Sequence, residues 1–275
     1  MSKIVGSIQQ SLSRSRFIAK MMIKLRDQCN SVIGLRCKSS IDQLENGEGW
    51  LAAQIGPRAS LIVDVGANLG NWVLLFADHM AKGGRAILFE PNPDASRKLA
   101  EDGWRPQEMT IELHEKAVSD AEGVLDFYAE ADAGETSSLV SRHSLKDAQK
   151  TQVAVTTLDR EFAELGADQI DMLKIDAEGF DLHVLLGARQ IIEDQKVAVI
   201  QFEYNAPWAH AGSTLSAAYQ LLEGAGYKVF LLKSEGLFTL DPAATGEFFR
   251  YSNFVAFRED VAREILSKVT PQPIF

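Results

Sequence analysis

The residues of this chain best equipped for chemistry are acids at the ends of apolar runs. Asp64 closes the run that begins at Leu61 and leads into the turn Gly66-Ala-Asn-Leu-Gly70. Glu90 follows the apolar residues 86–89. Asp176 and Glu178 follow Leu173-Lys-Ile, and Glu203 stands in Gln201-Phe-Glu-Tyr-Asn205. An ionised carboxylate only accepts hydrogen bonds. At the end of the second strand of an open α/β sheet it can hold both hydroxyls of a ribose. Beside a hydroxyl nucleophile it can take the proton. A lone acid on an otherwise apolar strand is costly to bury, and a site is the simplest reason for one at Glu203. Glu178 has a second reading, a first-turn helix acid favoured by the macrodipole.

The turn selects the ligand. Gly66 and Gly70 would let backbone approach a bound molecule with no Cβ between them. A dinucleotide site would show G-x-G-x-x-G. Here Asn68 stands where the second glycine belongs, and its side chain would crowd a pyrophosphate. A smaller ligand bearing a carboxylate and an amino group escapes that clash. S-adenosylmethionine (SAM) has both, and a ribose for Glu90. Asp64 would then answer the ammonium, directly or through water, and the helix start near Gly70 would receive the carboxylate. The plainer alternative is a tight loop shaped by its glycines. Glu90, at the next strand end, speaks against it.

These acids need strands to carry them and helices to cover the strands. Strands are expected at 61–65, 86–90, 110–118, 170–176 and 197–204, with two more at 228–232 and 252–257. Residues 123–128 and 152–157 form further extended runs around a polar stretch containing Ser137-Ser138. Helices are expected at 71–80, 94–101, 178–192 and 215–224. This alternation implies an α/β fold: a doubly wound, mostly parallel, seven-stranded Rossmann-like sheet with helices on both faces. Ahead of it, residues 13–25 form an amphipathic helix with Phe17, Ile18, Met21, Met22 and Leu25 on one stripe, flanked by Arg16, Lys20 and Lys24. That helix either lies on an anionic membrane or a lipid-linked substrate, or packs on the acidic body or a second subunit of a homo-oligomer.

Composition narrows the classes. The chain has 275 residues, 46% hydrophobic and 24% charged, as in soluble globular proteins. No apolar run approaches the ~20 residues of a membrane span. Lys20 and Lys24 interrupt the N-terminal apolar residues, so cytoplasmic residence is expected. Cys29 and Cys37 are expected as free thiols. The net charge is −10, yet residues 1–40 hold eight basic side chains and one acid, which leaves −17 on the rest. Such a body is a poor partner for nucleic acid.

Six ordered blocks resemble one family. They are Asp64-Val-Gly-Ala-Asn-Leu-Gly70, Phe89-Glu-Pro-Asn-Pro93, Ala117-Val-Ser-Asp120, Ser137-Ser-Leu139, Thr157-Leu-Asp159 and Ile170-Asp-Met-Leu-Lys-Ile-Asp-Ala-Glu-Gly179. Together they are similar to the FkbM-type SAM-dependent methyltransferases, over residues 61–204. The resemblance implies the class I methyltransferase sheet, closed by an antiparallel strand, and O-methylation of sugar or natural-product hydroxyls. It implies Gly66, Asn68 and Gly70 around the methionine part of SAM, Glu90 on the ribose, Pro91, Ala117 and Val118 beside the adenine, and Ser137-Ser138 in a loop over the site. Many relatives carry a second acid where His183 stands, so no role is carried over to that position. The expected division is a basic helical extension, 1–55, and a methyltransferase domain, 56–275.

The reaction would be an in-line displacement that needs alignment and a base. Asp176, Glu178 and Glu203 are the candidate bases, with His183 and His210 behind them. His183 also reads as a packed or solvated helix residue. Asp176, Glu203 and Asn205 would suit Mg²⁺ as oxygen ligands, though strand-end acids often work without metal. Trp208, His210 and residues 248–251 either shape the acceptor pocket or belong to the core. Two other classes stay open: an NAD-type oxidoreductase and a non-catalytic SAM- or nucleotide-binding module.

Overall fold

The apolar runs condense into one large sheet. A computed structural model describes residues 3–104, 106, 108–129 and 149–275. Two helices lead, α1 (Lys3–Ser13) and α2 (Arg16–Cys37), then α3 (Glu48–Ile55). The core alternates β1 (Leu61–Val65), α4 (Asn71–Ala77), β2 (Arg85–Phe89), α5 (Pro93–Ala100) and β3 (Thr110–His114). Three strands and a helix follow: β4 (Ala117–Val118), β5 (Gly123–Ala129), β6 (Gln149–Thr156) and α6 (Leu158–Leu165). Then come β7 (Met172–Ile175), α7 (Asp181–Gly187), α8 (Arg189–Glu193), β8 (Val199–Tyr204) and α9 (Leu215–Gly224). The chain ends with β9 (Lys228–Lys233), β10 (Gly236–Thr239), α10 (Pro242–Thr245), β11 (Ser252–Phe257), α11 (Glu259–Lys268) and β12 (Gln272–Pro273).

The main sheet has the order β12-β10-β9-β11-β8-β7-β1-β2-β3. Strands β3, β2, β1, β7 and β8 run parallel, and β11 is antiparallel to both β8 and β9. The seven expected strands are all in it, and β10 and β12 widen it to nine. Every residue of β1, β7 and β8 is buried, as expected of parallel strands covered on both faces. The chain leaves β1 towards β2 and β3, then returns to β7 on β1's other side. The carboxyl ends of β1 and β7 therefore diverge at a topological switch point, where open α/β sheets bind ligands.

Several local expectations are corrected. The run 110–118 is not one strand. The chain turns after His114, with the Lys116 amide donating to the His114 carbonyl at 2.8 Å. Ala117 and Val118 then join a separate three-stranded sheet, β4-β6-β5. The helix expected at 178–192 begins only at Asp181 and breaks at Ala188. The leading helix is broken at residues 14–15 by the Ser15 cap, whose hydroxyl accepts from the Ile18 amide at 3.4 Å, and α2 then runs on to Cys37. Its apolar stripe is not packed on the acidic body: Phe17 is 78% exposed and Leu25 55%. Only the end of α2 docks. Gly34 and Cys37 are buried, the Arg36 Nε donates to the Ile274 carbonyl at 3.0 Å, and Ser39 Oγ donates to the Leu232 carbonyl at 3.1 Å. Helix α3 is part of the core, with Leu51, Ala52 and Ile55 clustered with Trp72, Val73 and Phe76. Cys29 is exposed, Cys37 is buried, and both are free.

Candidate active site

The switch point opens as a cleft of about 620 Å³. Nine of the eleven expected site residues line it: Gly66, Asn68, Glu90, Pro91, Ala117, Val118, Asp176, Glu178 and Glu203. Asp64 and Gly70 are not among its lining residues. Ser137 and Ser138 lie outside the described residues.

Glu90 is one of the acids lining the cleft. It follows β2 directly and is 5% exposed. One carboxylate oxygen accepts from the Asn68 amide at 2.7 Å, the other from the Asn92 amide at 2.7 Å. Each oxygen keeps a lone pair for a further donor. Burial pushes Glu90 up to about 7, against the pull of those two amides. Asn68 sits at φ +47°, a left-handed conformation that asparagine tolerates better than most residues. Its side-chain oxygen is buried in the cleft wall without a hydrogen-bond partner among the described residues.

The two turn glycines are also pressed by the protein itself. A Cβ on Gly66, at φ +80°, would meet the Asp176 carbonyl oxygen at 1.9 Å. A Cβ on Gly70, at φ +79°, would meet the Trp104 ring at 2.5 Å. The end of β7 thus presses on Gly66 and the Trp104 ring on Gly70.

Asp64 is corrected as well. It is fully buried within β1, and neither oxygen has a hydrogen-bond partner among the described residues. Its charged neighbour is Lys174 of β7, 4.0 Å away, so it answers an internal cation. Burial raises Asp64 to about 6. Burial alone would lower Lys174, but Asp176, Asp64 and Glu48 hold it above the ordinary lysine value. Lys174 is therefore a fixed positive charge, 3.2 Å from Asp176 Oδ2.

The acids at the ends of β7 and β8 converge. One oxygen each from Asp176, Glu178 and Glu203 lie within 4.8 Å of one another. Glu178 is not a helix acid: it precedes α7 at φ +47° in a loop. Asp181 fastens that loop, accepting from the amides of Ala177 at 3.3 Å and Gly179 at 3.1 Å. Burial, with Asp176 nearby, lifts Asp181 to about 8. Burial also raises Glu203 well above the carboxylate range, helped by Asp176, Glu178 and Asp181. Asn205 Nδ2 donates to Glu203 Oε1 at 2.5 Å.

Sequence reasoning missed part of the lining. Glu48, at the start of α3, is 3% exposed and accepts from Gln201 Nε2 at 2.5 Å. Leu35, Lys38, Ile41 and Gln43 bring the segment after α2 to the same cleft. Of the residues weighed for the acceptor pocket, Phe249, Arg250 and Tyr251 line the cleft, whereas Trp208 is fully buried and His210 is exposed away from the lining. His183 faces Asp120 at 3.3 Å, outside the lining. No signal in the sequence separated the lining residues of 35–48 from a loop.

Comparisons with known proteins follow this geometry. Solved structures similar to this chain include a methyltransferase FkbM from Methylobacillus flagellatus KT, at 16% identity and TM-score 0.42, covering 72% of this chain and 43% of that one. This chain thus spans less than half of that relative's length. Another is a putative S-adenosylmethionine-dependent methyltransferase from Listeria monocytogenes, at 11% identity and TM-score 0.42, covering 78% and 98%. A third is the Aeropyrum pernix fibrillarin with natively bound S-adenosyl-L-methionine, at 12% identity and TM-score 0.41, covering 76% of each chain. A search of curated proteins finds no match. The family model described as Methyltransferase FkbM domain matches residues 64–229, more than half of the sequence and all of the strand-end acids. The chain belongs to the FkbM methyltransferase domain family.

Proposed function

We propose that this protein is a SAM-dependent O-methyltransferase acting on a hydroxyl of a sugar, glycan or natural-product acceptor. The observation that carries the reading is Glu90: a buried carboxylate braced by two backbone amides, both oxygens still able to accept, on the wall of a cleft whose far side holds three acids. The residues present fit the cofactor. Glu90 would hold the ribose hydroxyls, and the Asn68 side-chain oxygen offers an acceptor for a donor group of the ligand. Gly66 and Asn68 would border the methionine part, and Pro91, Ala117 and Val118 the adenine. When bound, SAM supplies a methyl group already activated on a sulfonium.

The remaining work falls to the chain. Lys174 pins Asp176 in place. Glu203, raised by burial and its like-charged neighbours, is suited to receive the acceptor hydroxyl's proton. Arg250 and Tyr251, with the segment after α2, form the wall on which the acceptor would be held. The N-terminal helices extend the reading: Phe17, Met21, Met22 and Leu25 are exposed beside Arg16, Lys20 and Lys24, a pattern suited to an anionic lipid surface. The end of α2 reaches the cleft, so an acceptor presented at a membrane would meet the site.

The test is incubation of the full chain with SAM and a panel of free and lipid-linked glycans, read by mass spectrometry. S-adenosylhomocysteine formed together with a singly methylated acceptor supports the reading. Methylation on carbon or nitrogen overturns the O-specific part. SAM binding without turnover on any hydroxyl acceptor favours the non-catalytic module.

A further inference from the structure

We infer that Asp176, Glu178, Glu203 and Asn205 together form a divalent-cation site at the cleft floor. The inference rests on the methyl-transfer reading only for its purpose, which is to hold and acidify the acceptor hydroxyl; the site itself stands on geometry.

Three acids alone would be an ordinary acidic cluster. Their oxygens lie within 4.8 Å of one another, the span of two opposed ligands on a cation with oxygen bonds of about 2.0–2.4 Å. Asn205 adds an independent observation. It is 7% exposed, at the cleft wall, beside Glu203. Its Nδ2 donates to Glu203 Oε1 at 2.5 Å, which leaves Oδ1 buried with no hydrogen-bond partner among the described residues. Against an ionised Glu203, as a cation would hold it, the flipped amide would set two acceptors against each other. The orphaned oxygen belongs to a side chain bonded to one of the three carboxylates, where another acceptor is unwelcome unless a cation is shared. Lys174 supplies a single charge, divided between Asp176 Oδ2 at 3.2 Å and Asp64 Oδ1 at 4.0 Å on the side of β1, which does not balance three carboxylates. An all-oxygen donor set suits a hard ion such as Mg²⁺ or Mn²⁺, with open positions for water or an acceptor hydroxyl.

The experiment uses the full chain and Mn²⁺ as the probe, titrated by electron paramagnetic resonance with Mg²⁺ as competitor. One saturable Mn²⁺ per chain, displaced by Mg²⁺, is expected. Asp176→Asn, Glu203→Gln and Asn205→Leu should each weaken it by roughly tenfold or more. Asn205→Asp keeps a ligand oxygen but faces Glu203 with a second charge. It should melt lower in chelator than the parent and recover on adding Mn²⁺, which a merely structural asparagine does not predict. Binding that rises without saturating, or that is unchanged in all three weakened variants, overturns the site. SAM binding is measured by calorimetry on the same samples. A parent that binds SAM but no Mn²⁺ sinks the cation site and leaves the methyl-transfer reading intact. A parent that holds Mn²⁺ at these residues but no SAM sinks that reading and supports the site.

Discussion

Glu90 ties the account to single atoms. Replacing it with alanine removes two acceptors for ribose hydroxyls, and hydrogen bonds to a charged group contribute about 1.5–3 kcal/mol each. Glu90→Ala should therefore weaken SAM by about a hundredfold or more; unchanged affinity in calorimetry would remove Glu90 from the site. Its pH behaviour follows from burial. The free protein holds Glu90 up to about 7, while the ribose requires the carboxylate. SAM affinity should fall as pH drops below about 7, with proton release on binding near that pH. A flat affinity between pH 6 and 8 would contradict this. Asp176→Asn and Glu203→Gln should cut turnover by about 10²–10⁴ while changing SAM affinity far less. Parent-like turnover would acquit them as bases. Strand-end acids were legible in the sequence because an apolar run announces where a strand stops. Lys174 and Asp181 were not, since one sits within such a run and the other looks like an ordinary helix acid. Glu48 reaches the cleft only through the packing of α3, which leaves no local mark.

Among the elements, the parallel strands and α9 were readable because continuous apolar runs and helical spacing leave little choice. What escaped reading was decided by tertiary fit: the turn at Glu115-Lys116, the late start of α7 and the break before α8. The β1–α4 turn shows how tightly elements meet. Gly66 at φ +80° has the Asp176 carbonyl 1.9 Å from where a Cβ would stand. Gly66→Ala should destabilise the fold by about 2 kcal/mol or more, from left-handed strain and forced separation of β1 and β7. Urea denaturation with an unshifted midpoint would show that this crossing is looser than described.

For the whole molecule, buried acids make stability depend on pH in an unusual direction. Asp64, Glu90 and Asp181 are raised from ordinary values near 4 to about 6, 7 and 8. The folded state thus binds more protons than the unfolded one between about pH 4 and 8, and the ligand-free protein should lose stability as pH rises through that window. A melting temperature that climbs from pH 5 to 8 would contradict the burial of these groups. The charge asymmetry, +7 on residues 1–40 and −17 elsewhere, belongs to the same scale. The chain should sediment with vesicles of phosphatidylcholine and phosphatidylserine and stay in solution with phosphatidylcholine alone, with Phe17→Ser/Leu25→Ser abolishing capture. Absence of capture alongside a concentration-dependent dimer would reassign that face to a second copy.

The central claim is that the cleft at the ends of β1 and β7 accepts SAM. Thermal denaturation with SAM, S-adenosylhomocysteine and NAD tests it most directly. At a hundred times its dissociation constant a ligand stabilises the folded state by ~2.7 kcal/mol. Both adenosyl compounds should raise the melting temperature of the parent, each should raise that of Glu90→Ala far less, and NAD should leave both unmoved. A shift with NAD and none with SAM would contradict the account.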